Sequence, residues 1–309
     1  MVTRVTTPGN YSAVLTNLLA AQQRQLEAGN KVATQRNGQD LKDYAKSSEL
    51  ITAMRGVQSR LDVYREQNKL LTDKLQTQDT GIIRVADAAQ SVRQVFAEAL
   101  ASGRVDTLVA DVQSELRDAV EAMNARYGGK YLFAGGQVDT QPVTVTGLAD
   151  LTAGPAISTF FRNDQFQVTA KLDEATTINT GVRADELGVA MMNAFKAFQQ
   201  FQESADGPFT GALTDAQRTF LEGQLATWDQ VRGDVTLIAA RNGNNQKRLE
   251  TTAADLESRQ NALAAMLGNI TDADMAEAAA QLQQAQLSVQ SAAYVFQALQ
   301  QSSLLNILK

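Results

Sequence analysis

Apolar positions recur along much of this chain in alternating steps of three and four residues, the 3.5-residue period of helices packed along a seam. One run passes through Leu61, Tyr64, Asn68, Leu71, Leu75, Gln78, Ile82, Val85, Ala89, Val92, Phe96 and Ala99, and Gly103 closes it. A second begins at Leu221, Gln224, Trp228, Val231, Val235 and Ile238, and continues through Asn242, Asn245, Leu249, Thr252, Leu256, Arg259, Leu263, Met266 and Ile270. Each run predicts a very long helix. Asn68 and Gln78 occupy seam positions, where a polar residue sets register at a cost in stability. Trp228 falls on the seam and reads as core. Arg241-Asn242-Gly243-Asn244-Asn245 is poor helix sequence and predicts a kink or an irregular turn. Thr214 with Gln217 predicts a capping box at the head of the second long helix. Shorter helices are predicted from Asp106 to Ala125 and from Asp185, the latter with Met192, Phe195 and Phe198 on one side.

The two ends carry stripes of a different kind. Met275, Ala278, Leu282, Ala285, Val289, Ala292, Phe296 and Leu299 step by three and four, while the other faces carry Gln281, Gln283, Gln284, Gln286, Gln290, Gln297, Gln300 and Gln301. From Met275 to Lys309 only Glu277 and Lys309 are charged. Uncharged amides can bond to other chains without the desolvation cost of buried ions. At the other end Tyr11, Leu15, Leu18, Leu19 and Leu26 form a stripe, and no charge lies between Val5 and Gln23. A lone stripe is not stable without a partner surface. The two ends therefore predict one discontinuous domain that is disordered in the monomer and folds on assembly. The assembly interface is expected at Tyr11, Leu15, Leu18, Leu19, Leu26, Leu282, Val289, Phe296, Leu299, Leu304, Leu305 and Leu308. Thr271 is expected to cap the last helix, with Asp272 and Asp274 in its first turn.

Between the helical halves the period changes. Tyr127-Gly128-Gly129-Lys130-Tyr131-Leu132-Phe133-Ala134-Gly135-Gly136 brackets an aromatic segment with glycine pairs and predicts a hairpin. A phosphate-binding loop would need its glycines to follow a strand and open a helix, which these do not. Alternation at 142–147, 157–161 and 166–172 predicts further strands. The fold class expected is mainly α with a small β insert: a long antiparallel helical coiled-coil rod with nested N- and C-terminal halves. Its domains are residues 1–27 with 271–309 as a terminal helical tube domain, 28–44 as a linker, 45–136 with 184–270 as a long-helix rod, and 137–183 as a β-rich outer domain at the far tip.

Composition narrows the function. The 309 residues contain neither Cys nor His, so disulfides, thiolate metal sites and the commonest general base are excluded. A net charge of −6 offers no basic footprint for nucleic acid. No apolar run is long enough for membrane insertion, and Met1 to Asn10 does not have the pattern of a cleaved signal peptide. Asp272, Asp274 and Glu277 could be offered as an acid cluster, but complementarity to the helix dipole accounts for the aspartates. No catalytic residue, metal or cofactor is expected.

The ending Ile270-Thr271-Asp272-Ala273-Asp274-Met275-Ala276-Glu277-Ala278, followed by a Gln/Ala/Leu helix closing in Leu304-Leu305-Asn306-Ile307-Leu308, resembles the C-terminus of the bacterial flagellin superfamily. Within it, Tyr127 to Gly136 with Thr140 and Pro142 resembles the hook-associated protein 3 family, the hook–filament junction proteins. The region usually holding a Ser/Thr-Gly-basic stretch and an Asp-Asp pair has Ala28-Gly29-Asn30-Lys31 and Gln39-Asp40-Leu41-Lys42-Asp43 instead. The resemblance implies a flagellin-like fold and a structural role outside the cell, in the flagellum. It implies delivery by the flagellar type III export apparatus with an export chaperone. The implied partners are a homo-oligomeric ring of this chain, hook-associated protein 1 and flagellin. Flagellin itself is the alternative reading. A cytoplasmic scaffolding coiled coil fits the charge-poor ends and the β insert poorly.

Overall fold

The computed structural model describes residues 7–154 and 156–307, with side chains described over 12–154 and 156–301. Seven α-helices are described: α1 (Thr7–Thr34), α2 (Ser48–Ser102), α3 (Leu108–Met123), α4 (Leu148–Ala153), α5 (Ala184–Gln202), α6 (Asp215–Thr271) and α7 (Met275–Ile307). The strands are short: β1 (Arg126–Tyr127) with β2 (Lys130–Tyr131), and β3 (Thr169–Lys171) with β4 (Thr177–Asn179), each an antiparallel pair. The chain divides into two compact units. One takes the described residues up to Arg60 and from Ser258 onward; the other is Leu61–Glu257.

In the larger unit, the seam positions of α2 and α6 that the periodicity picks out are buried from Ile82 to Phe96 and, except for the half-buried Gln224, from Leu221 to Ile238. The described α6 runs through Gly243 as one continuous helix, so no irregular turn interrupts it there. Asn242 explains why. It is buried and bonds to neighbouring segments, so tertiary contacts override a weak local propensity. At the start of α6 the capping box forms: Thr214 N–H donates to Gln217 Oε1 and Gln217 N–H to Thr214 Oγ1, both at 3.2 Å.

An aromatic cluster closes the core. Phe195 lies edge-on to Trp228 at 4.8 Å, Phe96 stacks on Phe198 at 5.5 Å, and Phe198 stacks on Phe209 at 5.1 Å. Helix α5 reaches this core because Gly188 has no side chain; a Cβ there would lie 2.5 Å from Met123 Sδ. The glycine-pair hairpin is as expected, with Gly128 and Gly129 both at positive φ between β1 and β2. The following Leu132, Phe133 and Ala134 leave the strand and are buried.

The region after that hairpin is less β-rich than its alternation suggests. Residues 142–147 form only an isolated bridge, Val143 to Phe161, and 157–160 is a 3-10 turn. Of the third expected strand only Thr169–Lys171 forms, and its partner Thr177–Asn179 lies outside the three stretches singled out. Nor does the β3–β4 hairpin sit at a tip. Leu172 and Ile178 pack with Leu75 of α2 and Leu249 of α6, well back along both helices. Amide side chains hold it there. Asn68 Nδ2 donates to the Leu172 carbonyl (3.1 Å), Gln78 Nε2 to that of Thr180 (3.2 Å) and Asn245 Nδ2 to that of Asn179 (2.7 Å).

The smaller unit contains α1, α7, the start of α2 and the end of α6. Helix α1 continues through Gly29-Asn30, where a linker was expected, and Gly29 faces Leu282 of α7 there, with room for a Cβ at 4.0 Å from Leu282 Cδ1. The helix stops at Thr34, and Gln35 takes a left-handed conformation (φ 57). The cap of α7 also differs from expectation. Thr271 ends α6, its hydroxyl donating back to Leu267, and Asp274 caps α7 by accepting from the Ala276 and Glu277 amides.

The two breaks in the helical pattern are joined in a clasp. Asn37 N–H donates to the Thr271 carbonyl (2.8 Å), and Ala273 N–H to that of Gln35 (3.0 Å). Asn37 Nδ2 donates to the Asp272 carbonyl at 2.8 Å. The Tyr44 hydroxyl accepts from Gly38 N–H and shares its proton between the Gly38 and Thr271 carbonyls, at 2.9 and 3.1 Å. Gly38 permits this turn, since a Cβ would lie 2.5 Å from that of Asp43.

Candidate assembly interface

Helices α1 and α7 pack against each other. On α1 the facing positions are Val14, Leu18, Ala21, Gln25, Ala28 and Val32, all at least half-buried. On α7 they are Ala278, Leu282, Ala285, Val289, Ala292, Phe296 and Leu299, the stripe expected from periodicity save its first member, Met275, which is exposed. The seam is thin. Among the described residues of the smaller unit, the fully buried apolar ones are Ile51 and four alanines: Ala21, Ala28, Ala278 and Ala285. Burying one methyl contributes on the order of 1 kcal/mol, about what fixing one residue's backbone costs. The pair has little intrinsic margin.

Its outward faces are apolar where a solvated helix would be charged. On α1, Leu15, Leu19 and Leu26 are exposed, Leu26 to 69%. On α7, Leu287, Tyr294 and Val295 are exposed, Tyr294 to 74%. The expected interface residues thus fall into two sets. Leu18, Leu282, Val289, Phe296 and Leu299 are half-buried on the α1–α7 seam, whereas Leu15, Leu19 and Leu26 point away from it. The side chains of Tyr11, Leu304 and Leu305, and all of Leu308, lie outside the described residues. Leu287, Tyr294 and Val295 were not expected. A search for one stripe passes over them, although the spacing of Leu287 and Tyr294 at one heptad puts them on a common face.

Chemistry elsewhere is sparse. Among the described residues no three His, Cys, Asp or Glu are grouped to hold a metal ion, and no helix is long and apolar enough to cross a membrane. Asp150, Asp43 and Asp185 have pKa values lowered by hydrogen bonds, and that of Glu115, within α3, is raised. Hydrogen bonds from the Thr146 hydroxyl and amide hold Asp150 below its usual pKa. The Asp40 and Gln39 amides do the same for Asp43. Burial opposes ionisation of Asp185, but the Gln165 amide and the Arg183 guanidinium together outweigh it and lower its pKa. Burial pushes the Glu115 carboxyl up, reinforced by Asp118 and Asp111.

Both ends of the chain match family models of known proteins. Residues 5–138 fit the family model of the bacterial flagellin N-terminal helical region, and residues 225–308 fit that of the flagellin C-terminal helical region. The chain belongs to the bacterial flagellin family. Its flagellin-like fold recurs in a protein provisionally described as a flagellar hook-associated protein from Vibrio parahaemolyticus, at 14% identity and a TM-score of 0.62 over 74% of this chain and 100% of that one. It recurs in FlgL of Bacillus cereus, at 15% identity and a TM-score of 0.55 over 71% of this chain and 99% of the other. No curated protein matches by sequence. Flagellin-family proteins are structural components of the flagellum that assemble with other subunits, and are not enzymes. In this flagellin-family chain, α1 and α7 lie in the N- and C-terminal helical regions.

Proposed function

We propose that the protein is a junction subunit of the bacterial flagellum, linking the hook, through hook-associated protein 1, to the flagellin filament. Residues 1–27 and 271–309 form its terminal tube domain, and coiled-coil assembly of the terminal helices joins copies into a ring. The observation that carries the reading is the α1–α7 pair, with an alanine seam inside and exposed Leu19, Leu26, Leu287 and Tyr294 outside. Such a pair gains stability by being surrounded, so folding and assembly are coupled without covalent chemistry. The Vibrio parahaemolyticus structure, described as a flagellar hook-associated protein, supports a junction subunit over flagellin. So does the Tyr131–Gly136 segment, which resembles that of junction proteins. On this reading the chain leaves the cell through the flagellar type III apparatus, attended by an export chaperone.

Deletion of the gene followed by electron microscopy tests the proposal. Bare hooks with flagellin shed into the medium are expected. Intact hooks in cells that no longer make filament protein would assign the chain to flagellin instead, and unchanged flagella would overturn both readings.

A further inference from the structure

The two terminal helices are almost free of charge, and what charge they have is concentrated. Over Thr7–Thr34 and Met275–Ile307 the charged residues are Arg24, Glu27, Lys31 and Glu277. Three of the four line one notch of about 260 Å³ between α1 and α7, with Gln281, Gln284 and Ser288 along the α7 wall. Arg24, Glu27 and Lys31 follow at spacings of three and four, which places them on one face of α1. Glu27 is turned to Gln23, whose amide donates to its Oε1 at 3.0 Å. Arg24 gives its Nε to the Ala20 carbonyl at 3.2 Å. Among the described residues neither Arg24 nor Lys31 has an ion pair, so the notch keeps an excess of positive charge beside amide and hydroxyl groups suited to a carboxylate.

The remaining charge on these helices is an acid. Glu277 is exposed in the first turn of α7, with only the Gln281 amide donating to its Oε1, at 2.9 Å. The neighbouring acids are otherwise engaged: Asp274 caps α7 and Asp272 accepts from the Thr271 hydroxyl. We propose that Glu277 of one copy seats in the Arg24–Lys31 notch of the next, fixing the register of the assembled terminal helices. This rests on the assembly reading above. Apolar and amide faces hold helices together but tolerate sliding, whereas one charge pair amid uncharged helices penalises every other register. The pairing is heterologous, basic notch to acidic turn, and so propagates from copy to copy.

The full-length protein, assembled on flagella of its host, is sheared off and pelleted. A water-soluble carbodiimide, which joins an amine to a carboxylate in direct contact, is applied to the unaltered assemblies. Peptide mass spectrometry is expected to find Lys31 joined to Glu277 in bands migrating above the monomer. Lys31→Glu is expected to lower the pelleted protein by about tenfold or more through like-charge juxtaposition, and the double variant Lys31→Glu/Glu277→Lys to restore it. Pelletable assemblies without that link, or a double variant no better than the single one, would overturn the proposal while leaving the assembly reading intact. Absence of the unaltered protein from any pelletable structure would overturn both.

Discussion

Tyr44 and Thr271 stand 227 residues apart in the chain, and the Tyr44 phenol lies 3.1 Å from the Thr271 carbonyl. That contact ties the loop following α1 to the end of α6. The end of one terminal helix and the approach to the other are thereby held in a single clasp, with Asn37–Thr271 and Ala273–Gln35 backbone bonds beside it.

Tyr44→Phe removes the hydroxyl at a half-buried site and is expected to cost about 1 kcal/mol locally. Amide hydrogen exchange at Asn37 and Ala273 should then quicken about fivefold, while amides of Leu61–Glu257 keep their rates. Equal rates at Asn37 and Ala273 in both proteins would show that the phenol does not hold the clasp. Gln35→Gly should act oppositely, since a left-handed residue is tolerated more readily as glycine.

The buried amides of the larger unit form one connected group. Asn242 Oδ1 accepts from Gln78 Nε2 at 3.0 Å, while Asn242 Nδ2 donates to the Leu75 carbonyl (3.1 Å) and to Asp79 Oδ1 (3.0 Å). Asn242→Leu takes one hydrogen bond from each of these partners, although Gln78 keeps its bond to the Thr180 carbonyl and the Leu75 carbonyl keeps that from Gln246, and should cost about 1–3 kcal/mol in urea unfolding. With Gln78→Leu added, the double variant should lose less than the sum of the singles, because both remove the same bond. Simple additivity would argue that the two amides act independently.

These amides also mark where sequence stops being legible. A 3.5-residue period locates buried faces well because burial is a property of helix geometry, and Leu75, Phe96 and Trp228 all fall where spacing puts them. Period-2 alternation at 142–147 does not make a strand, because a strand needs a partner edge, and the partner is decided by how the chain returns. Asn68 and Gln78 were recognisable as polar seam residues, but not as anchors for the Leu172 and Thr180 carbonyls, about a hundred residues on. At the terminal helices the inner stripe of α7 was legible. The outer residues Leu287 and Tyr294 were not, since they lie exposed off the buried stripe, where seam periodicity does not reach.

Acid should weaken the larger unit through its capping carboxylates. Asp150 and Asp185 have pKa values lowered by folding, so the fold favours their ionised forms. That stabilisation is complete above the unfolded value of about 3.9 and is lost as pH falls through the lower folded value. Glu115 has the opposite sign: its raised pKa favours the protonated form, so its contribution is lost as pH rises through the folded value. Chemical unfolding followed between about pH 6 and 3 should show stability falling toward the acid end. Asp150→Asn should flatten that slope. An unchanged slope would place the acid sensitivity elsewhere.

Leu26 and Tyr294 separate assembly from folding most cleanly. Both are largely exposed, at 69% and 74%, and both lie on helices whose seam buries chiefly alanines. Replacing either by Asp puts a charge on a face that the isolated chain leaves in water, so the unfolding transition of Leu61–Glu257 should shift by no more than about 0.5 kcal/mol. In an assembly the same charge would be desolvated without a partner, which costs several kcal/mol. Leu26→Asp and Tyr294→Asp should therefore abolish incorporation into flagella, scored by electron microscopy and motility. The secreted, unincorporated protein should retain a cooperative core. If the terminal pair folds only when surrounded, as proposed, the protein's far-ultraviolet circular dichroism should show fewer helical residues than the structure contains. Full helicity in the monomer, or normal flagella built from either variant, would mean that α1 and α7 do not depend on neighbouring copies.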